Sequence, residues 1–134
     1  MKIALDIHGV VDSNLPFFVE FTNFFVENDH EIHLLTGSKI TRKLTSTLSR
    51  AGLRWTHIFS ITDYHVALND GLTFDKDGHP WLEPYKWDKT KAEYCAKNEI
   101  DLCLDDSDTY GYFFKTPYAR YYSRNSTRIR KMHI

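Results

Sequence analysis

Residues 2–11 read KIALDIHGVV, and the fold is decided there. Lys2 to Leu5 make a short apolar run that stops at Asp6, the pattern of a buried strand that delivers a carboxylate at its end. Gly9 then allows a tight turn. From Pro16 the period changes. Phe17, Phe18, Phe21, Phe24 and Phe25 recur at helical spacing behind Ser13 or Asn14 as caps, which predicts a helix with its Phe face packed on a sheet.

The alternation continues outward from that unit. Residues 31–35 (EIHLL) predict a second strand, closed by Thr36-Gly37-Ser38. Ile40, Leu44 and Leu48 mark a second amphipathic helix, stopped by Gly52. A third strand is expected over 57–61 (HIFSI). Thr90 and Glu93 read as a capping box that starts a helix at Lys91 and carries it to about Asn98. Residues 100–104 (IDLCL) predict a fourth strand, ended by Asp105-Asp106, followed by a short helix after Ser107 and a last strand over 118–122 (YARYY). Residues 62–86 break the rhythm. Within them Asp77-Gly78 separates two β-prone pieces, the mark of a hairpin that is at most a small lid. Trp81, Tyr85 and Trp87 either line its inner side or, as such aromatics more often do, pack the insertion against the core. Strands alternating with helices predict an α/β fold: a three-layer α/β/α, Rossmann-like parallel sheet with a hairpin insertion, in one domain over 1–134.

Length and composition agree with that reading. At 134 residues and 15.8 kDa there is chain for one core. No apolar run approaches the ~20 residues that cross a bilayer, and Asp6 interrupts any leader-like segment. Cys95 and Cys103 sit in apolar surroundings without CxxC spacing, so buried thiols and a reducing, cytoplasmic setting are expected. The net charge of −1 hides an asymmetry: no acid follows Asp108, while Lys115, Arg120, Arg124, Arg128, Arg130 and Lys131 do. That end could steer an anion, or could simply be a solvated tail.

The polar residues fall at strand ends, with Asp6 after the first, Thr36 after the second, and Asp105 and Asp106 after the fourth. In an open parallel sheet those ends meet at one crevice. Clustered carboxylates repel and are costly to bury, so the cluster needs a cation. All-oxygen ligands of this kind suit Mg²⁺, which commonly shares its shell with a phosphate.

In order along the chain, Asp6-Ile7-His8-Gly9-Val10-Val11, Thr36-Gly37-Ser38 after LL, Lys91 at a helix start, and Asp105-Asp106 resemble the four motifs of the haloacid dehalogenase-like superfamily. The first of these is usually written DxDG[TV], and the likeness spans about residues 2–115. The resemblance implies a Mg²⁺-dependent phosphatase. Asp6 would be the nucleophile that forms an aspartyl-phosphate, and it would also bind Mg²⁺. The backbone carbonyl of His8 would be a second metal ligand, Asp106 a direct acidic ligand, and Asp105 a further ligand or an outer anchor. Thr36 would hydrogen-bond a phosphoryl oxygen, helped by the backbone N–H groups of Gly37 and Ser38 at the opening of the next helix. Lys91 would pair with Asp6 and neutralise the transferring group. Lys89 is the competing lysine, and the capping box favours Lys91.

The chain departs from the family pattern at His8, where the superfamily's phosphatases carry an Asp that acts as general acid/base. Imidazole can exchange protons near neutrality. Three outcomes stay open: a working phosphatase with His8 as acid/base, a long-lived phospho-Asp6, or a site that binds phosphate without turnover. The last would make the chain a phosphate- or partner-binding module. A receiver domain fits poorly, because its acidic pair lies on the first strand, and phosphotransferase or dehalogenase chemistry is not excluded by the motifs. His30 and His33 (HEIH) read as surface or strand-end residues rather than a zinc site, and His57, His65, His79 and His133 show no partner pattern. The resemblance leaves no room for a cap domain between Val11 and Leu35. Such an open site is compatible with nucleotides, phosphorylated macromolecules, or a small phosphomonoester covered by a second subunit; the expected substrate is a nucleotide or other phosphomonoester. A nucleic-acid end is the less favoured alternative, no membrane partner is expected, and the oligomeric state is left open.

Overall fold

A computed structural model describes residues 1–124, so Arg128, Arg130, Lys131 and His133 lie outside the described residues. In chain order the elements are β1 (Lys2–Asp6), α1 (Leu15–Glu27), β2 (Glu31–Thr36), α2 (Arg42–Arg50), β3 (His57–Ser60), α3 (Ile61–Leu68), β4 (Thr73–Phe74), β5 (Pro80–Trp81), α4 (Pro84–Lys97), β6 (Leu102–Asp105) and β7 (Tyr118–Arg120). Short 3₁₀ turns precede α1 (Val11–Asn14) and follow β6 (Tyr110–Phe113).

Five strands form one parallel sheet in the order β3-β2-β1-β6-β7, with β1 at its centre. From β1 the chain winds outward through β2 and β3, then crosses to build β6 and β7 on the other side. The connections leaving β1 and β6 therefore part, and that divergence opens a crevice at the carboxyl ends of the strands. Register puts Asp6 opposite Leu35 and Leu5 opposite Leu104. Asp6, Thr36 and Asp105 thus reach the same edge of the sheet.

The period-2 alternation of the strands divides the core in two. Ile3, Leu5, Ile32 and Leu34 pack with Phe18 of α1 and Leu48 of α2. On the opposite face, Ala4, Leu35 and Cys103 pack with Cys95 of α4 and Ile100. Both thiols are free and buried, as the sequence implies. The Cys95 thiol and burial together push the Cys103 thiol up. Among the described residues no helix is long and apolar enough to cross a membrane.

Three local expectations need correction. The helix carrying Lys91 starts at Pro84, capped by the Glu83 carboxylate, which accepts from the Tyr85 and Lys86 N–H groups. Thr90 is therefore mid-helix, with its hydroxyl donating to the Lys86 carbonyl at 2.6 Å, and no capping box forms. The segment after β3 also holds a helix. Ser60 is both the last residue of β3 and the cap of α3, so strand and helix follow without a loop signal. Finally, the Phe stripe is wider than the core: Phe18 is fully buried, whereas Phe17 and Phe24 face solvent. The hairpin is present, with Thr73 opposite Trp81 and Gly78 in the left-handed region at φ +82°.

Candidate active site

The centre of the crevice is an ion-paired cluster. Lys91, buried on α4, donates from Nζ to Asp6 Oδ1 at 2.8 Å and to Asp105 Oδ2 at 2.7 Å. Asp106 completes the group: oxygens of Asp6, Asp105 and Asp106 all lie within 4.8 Å of one another. Lys89 points elsewhere, pairing with Glu93 at 3.2 Å and lying over the Tyr85 ring. Burial pushes the Asp6 carboxyl upward. The Lys91 charge opposes that shift, and the neighbouring Asp105 reinforces it. For Lys91, burial alone would lower the pKa, but the two carboxylates outweigh it and hold the ammonium above its usual range.

Three carboxylates face one ammonium, so the cluster is short of positive charge. Its donors are hard oxygens, the set that suits Mg²⁺. Asp105 has both oxygens engaged, Oδ2 by Lys91 and Oδ1 by the Ser107 N–H at 2.9 Å. Asp106 is exposed, and among the described residues neither oxygen of its carboxylate is hydrogen-bonded. Asp106 and the second oxygen of Asp6 are thus the better placed direct ligands, with Asp105 as an anchor for Lys91 and the following turn. Gly9 makes this approach possible: at φ +101° it sits so close that a Cβ there would come 2.2 Å from Asp106 Oδ2.

The loop after β2 forms the second wall. Thr36 is fully buried, and its Oγ1 accepts from the Ser38 N–H at 3.1 Å, which leaves the hydroxyl proton free to donate. That bond engages the Ser38 N–H within the loop. Gly37 and Ser38 do not open a helix, because α2 begins at Arg42 with Thr41 as its cap. The loop is pinned by the start of α3: Thr62 donates to the Gly37 carbonyl, Ser60 Oγ to the Ser38 carbonyl at 2.6 Å, and Asp63 accepts from Ile40.

His8 stands at the rim, exposed, with Nδ1 3.3 Å from Asp12 Oδ2. Asp12 is itself fixed by the Gly9 N–H at 2.8 Å. With Nδ1 turned to Asp12, Nε2 is the nitrogen left to exchange a proton with a ligand.

Sequence reasoning missed this Asp12–His8 pair, although the i, i+4 spacing was visible. It foresaw an aromatic at Trp87 but not its partner Tyr110. Trp87 packs on Gly37 and donates from Nε1 to Tyr110 OH at 2.9 Å, and the Tyr110 ring lies 5.2 Å from Lys91 Nζ. Trp81 and Tyr85 are exposed and stay out of the cluster. His33 proves buried rather than superficial, with Nε2 2.8 Å from Glu31 Oε1 and Nδ1 2.6 Å from Tyr94 OH. Its ring stacks on His57 at 4.1 Å and 4°, and two parallel imidazole planes do not share one in-plane ligand position. A cavity of about 470 Å³ lies beside that stack, lined by His57, Phe59, Tyr64 and Tyr94, away from the acidic cluster. The candidate site is marked by its paired charges and not by cavity size.

Comparison with models of known protein families, with curated proteins and with solved structures gave no match to the chain.

Proposed function

We propose that this chain is a Mg²⁺-dependent phosphomonoester hydrolase of the haloacid dehalogenase-like type, working through an aspartyl-phosphate on Asp6. The observation that carries the reading is the Lys91 ammonium bridging Asp6 and Asp105, with Asp106 alongside at the carboxyl edge of a parallel sheet. The helices on both sheet faces support the three-layer, HAD-like form of the fold. The buried free thiols support a cytoplasmic setting.

Asp6 and Asp106 would hold the metal, with the His8 carbonyl as a further oxygen, and the bound ion would neutralise charge on the phosphoryl oxygens. Thr36 donates its free hydroxyl proton to one of those oxygens, and Lys91 offsets the charge on another side. A carboxylate oxygen of Asp6 attacks phosphorus as the P–O bond to the leaving alcohol breaks, and His8 Nε2 gives that alcohol its proton. His8 then takes a proton from the water that hydrolyses the phospho-Asp6, so free phosphate leaves and both residues return to their starting states.

Turnover of p-nitrophenyl phosphate between pH 5 and 8, with Mg²⁺ or with EDTA, tests the reading. We expect EDTA-sensitive hydrolysis that Asp6→Asn abolishes. Absence of turnover at every pH, or full activity in Asp6→Asn, refutes it.

One observation favours a second reading: the His8 ring bonds outward to Asp12 rather than to the cluster. A non-catalytic phosphate-binding module would bind beryllofluoride with Mg²⁺ and turn over nothing. His8→Asp would then gain activity.

A further inference from the structure

His8, at the rim of the crevice, also lines an open groove of about 320 Å³ together with Lys39, Thr41, Lys43, Leu44 and Thr47. Lys39 and Lys43 are exposed, and among the described residues neither is ion-paired to a carboxylate. Lys39 instead leans over the Phe74 ring of the β4–β5 hairpin, 4.7 Å from its centroid, and Phe74 is itself 42% exposed. Among the residues that line the groove, the charged side chains are these two lysine ammonium groups, beside His8.

We propose that this groove is a second anion subsite, and that the preferred substrate is a phosphomonoester whose leaving alcohol carries a further phosphate. The inference rests on the phosphatase reading of Asp6 and names the substrate class for that site. Its logic is one of charge and position. The transferred phosphoryl group already has its own positive partner, Lys91, at the centre of the cluster. Lys39 and Lys43 share a groove with His8, the residue proposed to meet the leaving oxygen, so an anion held there would belong to the leaving group. Two unpaired ammonium groups suit a phosphate as point charges. Leu44 supplies apolar surface for the part of the molecule between the two phosphates. A nucleoside bisphosphate and the phosphorylated end of an oligonucleotide share this chemistry.

The test compares kcat/KM for p-nitrophenyl phosphate, adenosine 5′-monophosphate, adenosine 3′,5′-bisphosphate, and short oligonucleotides phosphorylated at the 3′ or 5′ end. Lys39→Ala/Lys43→Ala is measured beside the unaltered chain. Two exposed lysine–phosphate contacts predict a loss of about tenfold for the doubly phosphorylated substrates, with a steeper salt dependence than for p-nitrophenyl phosphate. Preference for the bisphosphate over the oligonucleotides identifies a small-molecule source, and the reverse identifies a polynucleotide end. Equal kcat/KM for singly and doubly phosphorylated substrates, unchanged in the double variant, overturns the subsite.

Calorimetric binding to the Asp6→Asn chain with Mg²⁺ separates this result from failure of the phosphatase reading. Lysine-dependent tighter binding of the bisphosphate than of the monophosphate upholds the subsite even without turnover. Equal binding of the two removes it.

Discussion

Trp87 rests on Gly37 so closely that a Cβ at Gly37 would fall 2.9 Å from Trp87 Cζ2. The contact locks the loop carrying Thr36 to the helix carrying Lys91, and the Trp87–Tyr110 bond extends the lock across the top of Lys91. Gly37→Ala forces either the loop or the indole to move. We expect a loss of about 1–3 kcal/mol in unfolding free energy, the usual range for overpacking. Denaturant titration measures it, and a shifted Trp87 indole N–H resonance locates it. An unshifted resonance with unchanged stability would show that the contact is slack.

Removing Lys91 tests the charge balance of the site. Lys91→Met leaves Asp6 and Asp105 buried against each other without a counter-ion. We expect a loss of about 3–5 kcal/mol, typical of breaking a buried ion pair, read from the urea midpoint in EDTA. Divalent ion should stabilise the unaltered chain as well, by about 2.7 kcal/mol at a hundred times its Kd. Asp106→Asn should blunt that gain without the large loss seen for Lys91→Met, because Asp106 is exposed.

His8 is tested by choice of leaving group. A p-nitrophenolate departs without a proton, whereas an alkyl alcohol needs one. His8→Ala should lower kcat on an alkyl phosphate by about a hundredfold or more and on p-nitrophenyl phosphate far less. Asp12→Asn should produce a milder form of the same pattern, since Asp12 only orients the ring. Equal losses on both substrates would place His8 outside proton transfer.

His33 makes stability depend on pH. Burial holds its pKa below the ordinary histidine value, against the Glu31 hydrogen bond and with help from the His57 and Lys2 charges, while Tyr94 faces it from α4. The folded chain therefore keeps His33 neutral, and the unfolded chain takes up the proton at higher pH. Its contribution is complete above about pH 6.5 and declines as the pH falls below that value. Glu31, held below its usual range chiefly by His33, adds a loss of the same sign at lower pH. Asp6, pushed up to about 7 by burial, gains stability as the pH falls over the same range and opposes this trend. His33 is therefore read by difference: denaturant midpoints of His33→Gln from pH 7.5 to 5 should lack the acid-side decline that His33 adds to the unaltered chain.

The strand ends were legible because a buried parallel strand is a run of apolar residues, and the first polar residue after it marks the edge of the sheet. Asp6, Thr36 and Asp105 were all visible in this way, and the order of the elements followed. Lys91 was also found, but through a capping box that does not exist. Its true reason for reaching Asp6 is its place two turns into a helix begun by Glu83-Pro84, and nothing local in residues 89–93 encodes that. Helix α3 was hidden because Ser60 ends a strand and caps a helix at once. The Trp87–Gly37 contact and the His33–His57 stack join residues far apart in the chain, and only the folded sheet brings them together.

The lysine at the heart of the crevice has a consequence for assembly. A chain that carries its own ammonium to the centre of an acidic nest can complete its folding with no inorganic ion in hand. On the proposed phosphatase reading, loading would then be a late and reversible equilibrium laid over a finished scaffold. The metal-free protein would be a stable resting form, and its activation would follow the free cation level around it.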